Sequence, residues 1–190
     1  IGMSPFLMNL AACFIVIIIN QGLKKYGGDL AIGAFGIVNR LVFIVVMIVM
    51  GLNQGMQPIA GYNFGAKLYG RVNKVLRLTI IYATAVTTFG FLVGMLVPDL
   101  VVGIFTSDAE LTELSVTGLR ITVMFFPIIG FQMVTSNFFQ SIGMAGKAIF
   151  LSLTRQMLIL LPCLLVLPQF FGVAGVWYSM PVSDLLASLI

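Results

Sequence analysis

The chain has no histidine, two cysteines and few charges: only 8% of its 190 residues are Asp, Glu, Lys or Arg. Each shortage excludes something. Without histidine, the commonest general base and metal ligand is missing, and no Cys and carboxylate cluster has metal-ligand spacing. There is no phosphate-binding loop, and no serine has an obvious base within its apolar surroundings. Nothing here predicts an enzyme, a metal site or a cofactor. Cys13 and Cys163 both fall inside apolar runs and read as small buried hydrophobes. A soluble domain carries roughly 25% charged residues, so this chain cannot cover a globular surface with polar groups.

What is present is apolar surface. Hydrophobic residues make up 60% of the chain, and the mean hydropathy is +1.13. A membrane-spanning helix needs about 20 mostly apolar residues, and six stretches qualify: about 5–23, 30–52, 75–97, 114–142, 148–167 and 173–190. The second has a softer extension to Gly61. None alternates as an outer-membrane strand does, so the expected fold is an all-α membrane protein, a bundle of six transmembrane helices. The first stretch lacks the basic start and small-residue cleavage site of a signal peptide. A chain that opens on Ile1 and stops inside an apolar run is expected to be a fragment at both ends.

The net charge of +4 is scattered among apolar runs and forms no basic face, which argues against a nucleic-acid partner. Its placement predicts topology instead. Lys67, Arg71, Lys74 and Arg77 follow the second stretch, and Lys147 follows the fourth. The opposite connections hold Asp29, Asp99, Asp108, Glu110 and Glu113 against Lys24 and Lys25. Basic connections stay cytoplasmic, so the chain is expected to enter and end on the cytoplasmic side of its membrane. Tyr26, Tyr62, Tyr69 and the Trp177–Tyr178 pair lie near predicted span ends and read as interfacial anchors. Gly51/Gly55, Gly61/Gly65 and Gly90/Gly94 have the spacing that lets helices approach closely. Pro127, Pro162 and Pro181 predict kinks within spans four, five and six.

Ionisable residues at membrane depth are expensive, which makes each a functional candidate. Arg40 falls about halfway through span two, and Arg155 roughly 10 Å or more inside span five at 1.5 Å rise per residue. Asp184, near the middle of span six, is the only acid predicted at that depth. Arg120 is shallower and can snorkel. Two roles stay open for Asp184: a structural ion pair with Arg155 or Arg40, or a carboxylate that exchanges a proton or cation. Asn9, Asn39, Gln132, Asn137, Gln140 and Gln156 also fall within spans, where they can line a cavity or bond between helices. Eleven Met and 16 Phe suit an adaptable apolar cavity or simple lipid contact.

Several stretches resemble one family. QPIAGYNFGAKLYGRV at Gln57–Val72, preceded by MGLNQG, resembles the second-helix exit of one lobe of MATE (multidrug and toxic compound extrusion) transporters. FFQSIGMAGKA at Phe138–Ala148 resembles the fourth-helix exit. SLTRQMLILLP at Ser152–Pro162 and GVAGVWYSMPVSDLLA at Gly172–Ala187 resemble the last two helices, most closely in the bacterial DinF-like branch. The resemblance implies the C-terminal lobe of a twelve-helix, two-lobe transporter of a bacterial inner membrane, completed by an N-terminal lobe of the same polypeptide. It implies export of cationic or amphipathic compounds against inward H⁺ or Na⁺ by alternating access. The chain departs from branches that carry coupling carboxylates on the first and fourth helices of this lobe, since neither helix has an acid at membrane depth. The alternatives are a lipid-linked oligosaccharide flippase of the same architecture, which would want a cationic cavity such as Arg40 with Arg155, and a non-transporting membrane scaffold.

Overall fold

The computed structural model describes residues 3–188, and all its regular structure is helical. The first element, α1 (Met3–Gly65), holds a 57-residue apolar stretch. At 1.5 Å per residue that is about 85 Å, nearly three times a bilayer core of about 30 Å. It breaks at Gly28, where φ 64° and ψ −160° lie outside what a side chain tolerates. Two spans, 3–27 and 29–65, are therefore joined by one glycine instead of a loop. α2 (Tyr69–Leu96) is the third span, and a short α3 (Pro98–Gly103) follows it. α4 (Ala109–Val123) and α5 (Phe126–Ser141) form the fourth as a broken span bent by 55°. The bend falls where Pro127, in the first turn of α5, has no N–H to continue the α4 ladder.

The fifth span is composite: α6 (Ala145–Leu153), a π-helical turn (Thr154–Leu160) and α7 (Leu161–Phe171). Pro162 sits just past the π-turn, at the start of α7. α8 (Val173–Ser188) is the sixth. The chain is thus a six-helix transmembrane bundle. α2 packs between α1 and α5, and α8 packs on α7, α4 and the π-turn.

The helical regions extend beyond the apolar windows. α1 runs on through Pro58 to Gly65, so the connection to α2 is only residues 66–68. Arg71, Lys74 and Arg77 lie on the first turns of α2 rather than in a loop, and all are exposed. Lys67 stands in the connection with a left-handed φ of 58°. Lys147 is exposed on α6, its Nζ 5.5 Å from the centre of the Phe139 ring.

The larger core cluster joins both halves of α1 to α4, α7 and α8, and it includes Trp177. The expectation that Trp177 anchors the chain at the interface is overturned: it is 2% exposed, and its ring lies 5.9 Å from that of Phe35. Gly118 makes room, because a methyl group there would fall 2.6 Å from Trp177 Cη2. Tyr178, one residue on, is exposed as an anchor should be. The two cysteines are not in the core either: Cys13 is exposed on α1 and Cys163 is half-buried on α7. Of the three glycine pairs, Gly90/Gly94 meets other helices closely, through Val45 and Val123, whereas Gly51, Gly55 and Gly65 face open space and Gly61 meets the Ser141 carbonyl.

Candidate substrate cavity

A cavity of about 550 Å³ opens between α5, the α6–π-turn segment and the end of α8. That volume lies within the 300–1,000 Å³ usual for small-molecule sites. Phe131, Met133 and Phe139 supply apolar and polarisable surface, and Gln132, Ser136, Asn137, Ser152 and Gln156 supply amides and hydroxyls. Among the described residues, Arg155 is the one charged side chain in its lining.

Asp184 stands beside it. Its Oδ1 lies 3.1 Å from Arg155 Nε, with the acid's side chain 7% exposed and the arginine's 34%. Charge holds the two together, although neither atom is aligned for a hydrogen bond. The pairing of these two helices has a local cause. Gly175 lets α8 press against the α7 backbone: a Cβ there would come within 2.6 Å of Pro168 N. The π-turn starts one residue before Arg155 and ends at Leu160, so its wider turn sets where Arg155 and Gln156 project. Gln132 Nε2 donates to the Asp184 carbonyl at 3.0 Å and ties α5 to α8.

Asn137 is held twice. Its Nδ2 donates to the Met133 carbonyl at 2.8 Å, and its Oδ1 accepts from Gln57 Nε2 at 3.3 Å. Gln57, the first residue of the family-like stretch, thereby links α1 to the cavity wall. Gln156 Nε2 reaches Ser152 Oγ at 3.5 Å. Besides Arg155 Nε, three buried atoms of lining residues have no hydrogen-bond partner among the described residues: Gln132 Oε1, Ser136 Oγ and Gln156 Oε1.

Of the residues proposed from the sequence, Asp184, Arg155, Gln156, Gln132 and Asn137 therefore come together, and Gln140 stays outside the lining. Arg40, Asn39 and Asn9 do not join them, and helical periodicity explains why. The buried stripes of α1 run through Ala11, Ile15, Ile19 and Leu23, then through Ala31, Ala34, Phe35 and Val38. At about 100° per residue, Asn9, Asn39 and Arg40 fall off those stripes, and all three are exposed. Arg40 does not share a cavity with Arg155, so the paired-arginine site a pyrophosphate headgroup would want is not assembled here. Ser136, Ser152 and Thr135 were not anticipated. Small hydroxyls in an apolar run bond to their own helix carbonyls so readily that only tertiary placement marks them. Among the described residues no three His, Cys, Asp or Glu side chains come together.

Broken helices around a cavity with an ion pair in its wall are an arrangement that membrane transporters use. Comparison with known proteins makes this specific: residues 5–165 match the MatE family model, and the chain belongs to that family. It is 29% identical over its whole length to the multidrug export protein MepA of Staphylococcus aureus strain MSSA476, covering 41% of that protein. It superposes on the MATE multidrug transporter DinF-BH with TM-score 0.87 and 37% identity, covering all of this chain and 42% of that one. An outward-facing MATE family transporter of the MOP superfamily shares the fold at TM-score 0.90 and 20% identity, again over the whole chain and 43% of the other. The chain thus spans about two-fifths of the length of the relatives it matches.

Proposed function

We propose that this chain is one lobe of a two-lobe exporter that moves cationic or amphipathic compounds outward against inward H⁺ or Na⁺. The observation that carries the reading is the cavity: aromatic and methionine surface, adaptable amides, and a single ion pair in which Asp184 is the acid. Such a lining takes varied apolar bodies and leaves polarity to a few groups. The names of the relatives, multidrug export and multidrug transport, agree with it. In this reading the other lobe closes the cavity, and the two lobes rock about it in alternating access. The exposed bases of α2 and α6 face the cytoplasm, and the acids at the start of α4 face outward.

The test is drug susceptibility of an efflux-deficient bacterial host carrying the full-length gene, with uptake into proteoliposomes under an imposed H⁺ or Na⁺ gradient. Asp184→Asn is expected to lower both activities. Asp108→Asn is the control, because Asp108 is an exposed N-cap whose Oδ1 accepts from Leu111 N at 2.9 Å, and asparagine caps as well. Equal activity of the two variants would remove Asp184 from the mechanism. No transport of any compound under either gradient would refute the exporter reading.

A further inference from the structure

We propose that Arg155 is a built-in competitor for the substrate cation: its guanidinium occupies the carboxylate of Asp184, and a lipophilic organic cation binds this lobe by displacing it. The proposal rests on the substrate reading above and adds the means of selection.

Three features of the pair favour this exchange, and the first is charge. Among the described residues Arg155 is the one charged side chain lining the cavity, and Asp184 beside it is its counter-ion. The pair is neutral, so a cation entering with Arg155 in place meets no uncompensated negative charge. It gains an ion pair only if the arginine leaves. The second is geometry. An arginine that grips a carboxylate through both arms of its fork is hard to remove. This one meets Asp184 through Nε, at 3.1 Å and out of alignment for a hydrogen bond. The third is the asymmetry of burial. The acid's side chain is 7% exposed and the base's 34%. The acid is fixed in the wall while the arginine is reached from the cavity.

Displacement also has somewhere to go. A guanidinium carries five N–H donors and no acceptor. Gln132 Oε1, Gln156 Oε1 and Ser136 Oγ are buried in the same cavity wall, each without a hydrogen-bond partner among the described residues. They are acceptors able to take the released donors. Arg155 is carried on the π-helical turn, a wider and less regular turn than its α-helical flanks, and such turns recur at functional sites. A purely structural ion pair needs none of these: it is better served by a forked, fully buried contact with every acceptor satisfied.

The experiment is equilibrium binding of ethidium, read by fluorescence anisotropy, to the purified full-length protein in lipid nanodiscs. Arg155→Gln removes the competitor, and its Kd is expected to fall by about tenfold or more. Arg155→Lys keeps a cation and is expected to stay within about threefold of the parent. In the double variant with Asp184→Asn, the tightening of Arg155→Gln disappears. Asp184→Asn alone leaves the arginine without its carboxylate and is expected to weaken binding by about tenfold or more. An unchanged or weaker Kd for monodisperse Arg155→Gln overturns the proposal. Should that variant fail to purify, parent-like binding by Asp184→Asn overturns it equally. Ser136→Trp fills the cavity and separates the two readings. If the parent binds no ethidium, or Ser136→Trp leaves binding intact, the cavity reading itself falls. If Ser136→Trp blocks binding and Arg155→Gln does not tighten it, only the competitor falls.

Discussion

Gly118→Ala is the sharpest test of how the lobe is held together. The added methyl would sit 2.6, 2.7 and 2.8 Å from Cη2, Cζ2 and Cζ3 of Trp177, whereas carbon atoms prefer about 3.5–4.0 Å. The indole must therefore retreat by about 1 Å. It is 2% exposed and already in contact with Phe35, so the retreat compresses the core or moves α8 off α4. Overpacking of this kind costs about 1–3 kcal/mol. Against it, replacing a helical glycine by alanine gains about 0.8–1.0 kcal/mol. Gly55→Ala isolates that gain, because Gly55 is helical, exposed and has nothing near its missing Cβ. The two variants should differ by about 1–3 kcal/mol. In a unit of this size that is several degrees, at about 2–4 °C per kcal/mol. The assay is the temperature at which the detergent-solubilised protein loses half its monodisperse size-exclusion peak. Gly118→Ala should melt below Gly55→Ala, and Trp177→Phe in the Gly118→Ala background should recover part of the loss. A Gly118→Ala midpoint equal to or above that of Gly55→Ala refutes the claim that Trp177 is locked against this helix.

Two further predictions concern topology and packing. Single cysteines at Lys67 and Arg71 should react with a membrane-impermeant maleimide only in inside-out vesicles, and cysteines at Asp108 and Glu110 only from the opposite side. Labelling of all four from one side would break the proposed orientation. Gly175→Ala places a methyl against the α7 backbone, which cannot swing aside as a side chain can. It should lower the melting midpoint more than Gly118→Ala does and disturb ethidium binding through the displaced Asp184. A parent-like midpoint would mean that α7 and α8 are not in contact as described.

The helices were legible because lipid imposes a strong and local demand: a run of about 20 apolar residues has few other uses. Pro127 marked the bend for an equally local reason. The cavity was half legible. Asp184 and Arg155 stood out because charge at membrane depth is costly, but Arg40 stands out for the same reason and projects elsewhere. Depth is written in sequence position, whereas facing depends on where each helix meets its neighbours. Trp177 shows the limit. Beside Tyr178 and near a span end it has the pattern of an anchor, and only Gly118, 59 residues earlier, makes room for it inside. The π-turn has no sequence signature, yet it aims both Arg155 and Gln156.

The glycine joint in α1 has a consequence for what changes the lobe tolerates. A loop between two spans absorbs an inserted residue. A joint one residue long passes the insertion straight into the helix that follows, turning it by about 100° and advancing it by about 1.5 Å. Phe35 and Val38 would move into the exposed places now held by Gly36 and Asn39, and Arg40 would turn into the place of Leu41 beside the core. Gly28 therefore works as an indexing pin, and this end of the hairpin should be far less permissive to insertions and deletions than residues 66–68 at the other end.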